Sequence, residues 1–181
     1  DVLSAANGVI LINTKKGAAG KLRVNFSSAV ETASPFMLPK FQNTYGNAAG
    51  QYTSWGDKLA TPSDYKVRDF YNRGVTFNNS FNFSVGTDKN QTYFSASAIN
   101  AKGIVPNNKY HRYNASVRNT SKFLDDKLTL DVSASYVRDY ANNMISYGAY
   151  FNPIVGAYLY PRGQNFDQEK YFERYDAQQG F

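Results

Sequence analysis

Apolar and polar residues alternate one for one along five stretches of this chain. In the clearest, Phe77, Asn79, Phe81, Phe83 and Val85 share one phase, and Thr76, Asn78, Ser80, Asn82 and Ser84 share the other. A later stretch sets Leu128, Leu130, Val132, Ala134 and Tyr136 against Thr129, Asp131, Ser133 and Ser135. Between them, Phe94, Ala96 and Ala98 oppose Tyr93, Ser95 and Ser97, and Tyr113, Ala115 and Val117 oppose Asn114, Ser116 and Arg118. Earlier, Leu22, Val24 and Phe26 alternate with Arg23, Asn25 and Ser27. A period of two puts successive side chains on opposite faces of a strand. The pattern predicts an all-β chain with strands over about 21–32, 76–86, 91–100, 110–120 and 128–137.

The connections alternate as well. Residues 33–75, 101–109 and 138–181 form long links rich in Gly, Pro and Asn, whereas 86–90 and 124–127 are tight turns by composition. Short turns at one end and long loops at the other are the habit of transmembrane β-barrels. A ten-residue strand, rising about 3.3 Å per residue and tilted near 45°, spans roughly the 25 Å apolar band of such a barrel. A soluble sandwich shares the alternation but has no reason to sort its loops. The pattern therefore favours an antiparallel transmembrane β-barrel segment with long outer loops, and a soluble all-β carbohydrate-binding module is the rival. Two short helices are expected within the long loops: Tyr65–Tyr71 with Ser63 as N-cap, and Gln168–Tyr175.

Composition narrows this further. Charged residues are 19% and aromatic residues 16% of 181, which is unlike a cytosolic enzyme and suits strands with one apolar and one polar face. The longest clearly aliphatic run, Val9–Ile12, is far short of the roughly 18 apolar residues of a membrane helix. No cysteine is present, so disulfides and thiolate metal sites are excluded. The net charge of +6 comes from scattered residues, with only Lys15-Lys16 adjacent near the start, so no nucleic-acid partner is expected. The chain opens on Asp1 without a Met or a leader pattern, as an excised piece of a longer protein would.

The run Asn7-Gly8-Val9-Ile10-Leu11-Ile12-Asn13-Thr14-Lys15-Lys16-Gly17 resembles the closing strand of the plug domain in SusC/RagA-like TonB-dependent outer-membrane transporters of Bacteroidetes. Two later segments are similar to the barrel strands of that family and follow in the same order. They are Asn79 to Lys89 continuing through Tyr93-Phe94-Ser95, and Lys102 to Asn108 continuing through Tyr110-His111-Arg112-Tyr113-Asn114. The resemblance implies that residues 1–17 end a plug and 18–181 begin a 22-stranded plugged barrel. It implies an importer of oligosaccharides, or of oligopeptides in the RagA-like branch, working with a SusD-like surface lipoprotein and energised by TonB through a segment absent here. The location implied is the bacterial outer membrane, with lipid around the barrel. Five strands cannot close a barrel, so open edges and an uncovered apolar face are expected of this stretch alone.

No catalytic fingerprint is present, and neither enzyme activity nor a cofactor is expected. His111 stands without a triad or metal motif around it, and Asp125-Asp126 reads as a solvated turn. Asn25, Asn78, Asn82, Asn90, Asn114 and Asn119 head Asn-x-Ser/Thr sequons, but most of them fall within strands, as a polar lumen face would produce by composition. The aromatic residues of the long loops are the candidates for substrate contact: Trp55 first, with Tyr45, Tyr52, Tyr71, Tyr147 and Tyr150. Aromatic rings offer flat apolar faces to the C–H faces of sugars. The competing reading is that they pack the loops together or mark the membrane interface.

Overall fold

The computed structural model describes residues 15–48, 51, 54–144, 148 and 152–169. The proposed plug strand at Val9–Ile12, and Tyr52, Tyr147 and Tyr150, lie outside the described residues. All five expected strands are present: β1 (Gly20–Ala33), β2 (Gly74–Gly86), β3 (Asn90–Lys102), β4 (Lys109–Phe123) and β5 (Leu128–Asn142). They form one open antiparallel sheet in the order β1-β2-β3-β4-β5. No closed barrel is seen among the described residues, and β1 and β5 are edges exposed along their whole length.

Each strand outruns the stretch that alternation marks. β3 continues to Lys102, β4 starts at Lys109 and β5 reaches Asn142. Side-chain alternation fades at these ends, but strand pairing satisfies backbone N–H and C=O groups whatever the side chain. The expected long outer link 101–109 therefore shrinks to residues 103–108, and the final link begins at 143. The contrast between the two ends of the sheet survives mainly through 34–73 and the segment after β5.

The tight turns have local causes. Thr87 N–H donates to the Asn90 carbonyl at 2.7 Å, and Thr87 Oγ1 accepts from the amides of Lys89 and Asn90. A Cβ on Gly86 would run into the Asn90 backbone, so only glycine fits where β2 enters this turn. Between β4 and β5, Leu124, Asp125 and Asp126 are all left-handed, with φ of 53°, 49° and 67°. Asp tolerates that region, whereas an exposed Leu there is uncommon.

By contacts the chain divides into two units. Among the described residues, the first comprises 15–29, 78–99 and 112–139, which are the strand segments around the two tight turns and the segment that enters them. Its register can be read from paired side chains. Asn25 bonds Asn82 and Ser28 bonds Asn79, so three steps forward on β1 are three back on β2. This places Phe26 opposite Phe81 and Val24 opposite Phe83. Phe83 stacks on Phe94 across β2 and β3, with ring centroids 5.3 Å apart. Between β3 and β4, Thr92 pairs with Asn119, Ser95 with Ser116 and Ser97 with Asn114, which sets Phe94 opposite Val117 and Ala98 opposite Tyr113. The apolar phases of successive strands thus fall on one face. No apolar residue of this unit is buried among the described residues; Phe26 is 70% and Leu130 52% exposed.

The opposite face carries the Asn25–Asn82, Ser95–Ser116 and Ser97–Asn114 pairs and a bidentate Arg118–Asp131 ion pair. The entering segment, residues 15–18, lies against this polar face. Ala18 N–H donates to Ser84 Oγ at 2.9 Å, and Lys16 Nζ is 3.9 Å from Asp131. Gly17 makes the approach possible, since a Cβ there would be 2.9 Å from the Gln91 backbone.

The second unit holds the described residues of 30–77, 100–111 and 140–169, and it contains the buried residues Tyr65, Val67, Ala157 and Arg162. The expected helix at Tyr65–Tyr71 is replaced by a single 3-10 turn, Val67–Phe70. Ser63 does not cap it. Its Oγ accepts from Tyr65 N–H, while Asp69 closes the turn by accepting from Lys66 N–H at 2.9 Å. Lys66 enters the turn in extended backbone, and Tyr65 before it commits its side chain to the core, where its hydroxyl donates to the Ala157 carbonyl at 2.6 Å. A helix absent from the sequence expectation, α1 (Pro153–Leu159), starts at Asn152, whose side chain accepts from Ile154 N–H, with Pro153 at the first helical position. A short α2 (Phe166–Glu169) overlaps the start of the expected helix at 168–175, the rest of which lies outside the described residues.

Candidate functional site

Two groups of aromatic residues stand out among the described loops of the second unit. One forms a core around Arg162. Its Nε donates to the Asn43 side chain at 3.0 Å and the Gln42 carbonyl at 3.3 Å, and its Nη1 donates to the Tyr160 carbonyl. Its guanidinium lies over the rings of Tyr65 and Phe41, at 4.9 and 5.5 Å from their centroids. Tyr160 and Phe166 complete the cluster, with rings 5.0 and 4.8 Å from Tyr65. A planar cation with a fixed fork of donors suits this place, because it serves three carbonyls of the loops while stacking on two rings. Burial pushes the Tyr65 hydroxyl up to about 12, and the attraction of Arg162 offsets only part of that shift. Burial also lowers the Arg162 pKa from its usual value.

Tyr71 belongs to this packed group. Its ring meets Phe70 edge-on at 5.1 Å, and burial together with a hydrogen bond to the Tyr158 side chain raises it to about 12. Tyr71, expected to contact substrate, is half-buried here, with its ring against Phe70 and its hydroxyl against Tyr158.

Tyr45 and Trp55 are arranged differently. Their rings lie 6.2 Å apart and tilted by 33°, with Trp55 75% and Tyr45 41% exposed. The backbone beneath them is tightly specified. Gln42 Oε1 accepts from the amides of Thr44 and Tyr45, and its Nε2 donates to the carbonyls of Tyr45 and Ser54. A bridge joins Tyr45 to Lys58, and Gly46, Gly56 and Leu59 donate across the same small loop pair. Arg162 N–H donates to Ser54 Oγ, tying this loop to the core. The result is an exposed aromatic pair on an ordered support, which presents apolar ring faces without first having to fold. Gln42 and Arg162, the residues that position the pair, carried no motif in the sequence, because their roles depend on backbone groups brought together by the fold.

His111 sits in β4 with its Nδ1 2.8 Å from Asn100 Oδ1 and its ring near Tyr140. No group of residues suited to hold a metal ion occurs among the described residues. Asp125 and Asp126 lie in the β4–β5 turn, where Asp126 is 3.9 Å from Lys122.

No family model matches the chain. Its sequence is 29% identical over 150 residues to the TonB-dependent receptor SusC of Bacteroides thetaiotaomicron. The chain is distantly homologous to a TonB-dependent receptor. The similar region covers 74% of this chain and 14% of that receptor, so the chain corresponds to a small part of such a protein.

Proposed function

We propose that this chain is the start of the barrel of an outer-membrane active importer, taking up oligosaccharides or oligopeptides with a SusD-like surface lipoprotein and energised by TonB through a segment outside this chain. The observation that carries the reading is the two-faced sheet. One face is apolar and uncovered, and the other is polar and receives the entering segment through Lys16, Gly17 and Ala18. A lipid-facing outer wall and a lumen that holds a plug require that division. A soluble carbohydrate-binding module would need a second layer over Phe26, Phe81, Leu130 and Val132, and none covers them among the described residues. The distant homology to a TonB-dependent receptor supports the same choice.

Within this reading, Tyr45 and Trp55 form part of the substrate-contacting surface. The test is to purify the full-length protein from outer membranes in mild detergent and identify what accompanies it by mass spectrometry. A co-purifying surface lipoprotein with glycan or peptide is the expected result, and a soluble chain without such a partner would overturn the proposal. Trp55→Ala should weaken binding of the captured cargo about five- to tenfold, as expected for loss of one aromatic platform worth about 1 kcal/mol. Unchanged affinity in a folded variant would remove Trp55 from the site.

A further inference from the structure

At the β3–β4 link the second unit contains a cavity of about 390 Å³ lined by Asn72, Arg73, Lys102, Asn108 and Lys109 together with the turn backbone. Three of its lining residues are cationic and none is acidic. The turn is rigid. Gly103 N–H donates to the Asn108 carbonyl, Asn108 N–H to Val105, and Asn72 N–H to Ile104. Asn107 holds a left-handed φ of 65°, and the Asn108 side chain accepts from Met144 N–H at 2.6 Å. The positive charges are therefore gathered by backbone geometry, and no ion pair among the described residues neutralises them.

Their position in the strand register gives the cavity meaning. Lys102 follows Asn100, Ala98, Ala96 and Phe94 in one phase of β3, and Lys109 precedes His111, Tyr113, Ala115 and Val117 in one phase of β4. The Asn100–His111 contact continues the same pairing, so Lys102 and Lys109 lie side by side in adjacent strands. Along each strand the order is apolar residues, then a polar or aromatic residue, then lysine. Tyr140 of the neighbouring β5 places its ring 6.0 Å from that of His111. This is the order of groups met on leaving the hydrocarbon region for the headgroup layer.

We infer that this cavity binds the phosphate of an anionic lipid headgroup in the leaflet at the loop end of the barrel. The inference rests on the barrel reading above. Lysine ammonium groups and an arginine guanidinium complement phosphate oxygens, and the asparagine amides supply neutral donors. The lipid is favoured over free phosphate because its acyl chains would lie on the same apolar strand phases that lead to the two lysines.

The test uses the full-length protein in detergent, with native mass spectrometry against phosphatidic acid, phosphatidylcholine and inorganic phosphate. Each basic residue near an anionic headgroup strengthens binding roughly fivefold. Lys102→Gln with Lys109→Gln should therefore lower phosphatidic acid affinity roughly 25-fold and leave phosphatidylcholine binding unchanged. Membrane partition and heat-modifiable gel mobility of both proteins are measured first. If the wild type does not partition into membranes, the barrel reading fails and this inference falls with it. If both proteins partition and fold but bind phosphatidic acid equally, the headgroup site alone is refuted. Inorganic phosphate displacing phosphatidic acid at comparable concentration would refute the lipid source. Failure of the double variant to fold moves the test to Arg73→Gln, where unchanged phosphatidic acid binding again refutes the site.

Discussion

Replacing Phe81 by lysine tests whether the uncovered face meets lipid. Phe81 occupies the middle of the apolar phase of β2, opposite Phe26 on β1, with ring contacts to Phe83 at 6.2 Å and Phe94 at 6.5 Å. A lysine at the lipid-facing midplane of a barrel costs about 2–4 kcal/mol, and the lost ring contacts add about 0.5–1.5 kcal/mol. Phe81→Lys should therefore destabilise the folded protein by about 3–5 kcal/mol, or roughly two to four orders of magnitude in the folding equilibrium. Ser80 is its neighbour in the opposite phase, and Ser80→Lys should change stability by less than about 0.5 kcal/mol. The assay is urea unfolding of the full-length protein in phosphatidylcholine vesicles, followed by tryptophan fluorescence and by the heat-modifiable gel band. If that face met water, a side chain already 37% exposed would lose its partial burial, about 1–1.5 kcal/mol, and the same ring contacts, for about 1.5–3 kcal/mol in all. A difference between the two variants below about 2.5 kcal/mol would refute the lipid-facing assignment.

The core of the loop unit gives further expectations. Arg162→Met removes donors to three carbonyl oxygens and the contact over two rings, and should loosen the loops by about 2–4 kcal/mol. Hydrogen exchange should report this as faster exchange at the Thr44, Tyr45 and Leu59 amides, with the β3 and β4 amides unchanged; Arg162→Lys should recover little, because an ammonium cannot reproduce the fork. Tyr65 and Tyr71 should be among the last tyrosines to ionise. Because folding raises these two groups from about 10 to about 12, their contribution to loop stability is complete below pH 10 and is lost as pH climbs toward 12. Alkaline titration followed by hydrogen exchange checks this. Tyr65→Phe should reduce the loss across that window, and an unchanged profile would show that Tyr65 ionisation does not drive it.

Much of the sheet was legible in the residues themselves. Alternation located all five strands and put Phe81, Phe94, Val117 and Leu130 each in the apolar phase of its own strand, since a strand has a fixed period and any apolar face imprints it. The Gly- and Asp-rich turns were legible for the same local reason. The strand ends at Lys102 and Asn142 were not, because backbone pairing extends past the point where side chains alternate. The loop core was hidden as well. Nothing near Arg162 marks it as the partner of Asn43 and Tyr65, and Ser63 looked like a cap although Tyr65 is drawn into a core that overrides local helix preference. Of the proposed ligand-contacting residues, Tyr45 and Trp55 came together while Tyr71 was absorbed into packing, a distinction that composition cannot make.

The sequence by itself determined the strands, their two faces and the positions of the tight turns, because those features depend on neighbours within a few residues. Only the tertiary structure decided which strands adjoin, that the entering segment rests on the polar face, which loop aromatics remain exposed, and that Arg73, Lys102 and Lys109 share one cavity. These depend on groups far apart in the chain, which backbone hydrogen bonding and side-chain packing bring together and local pattern does not encode.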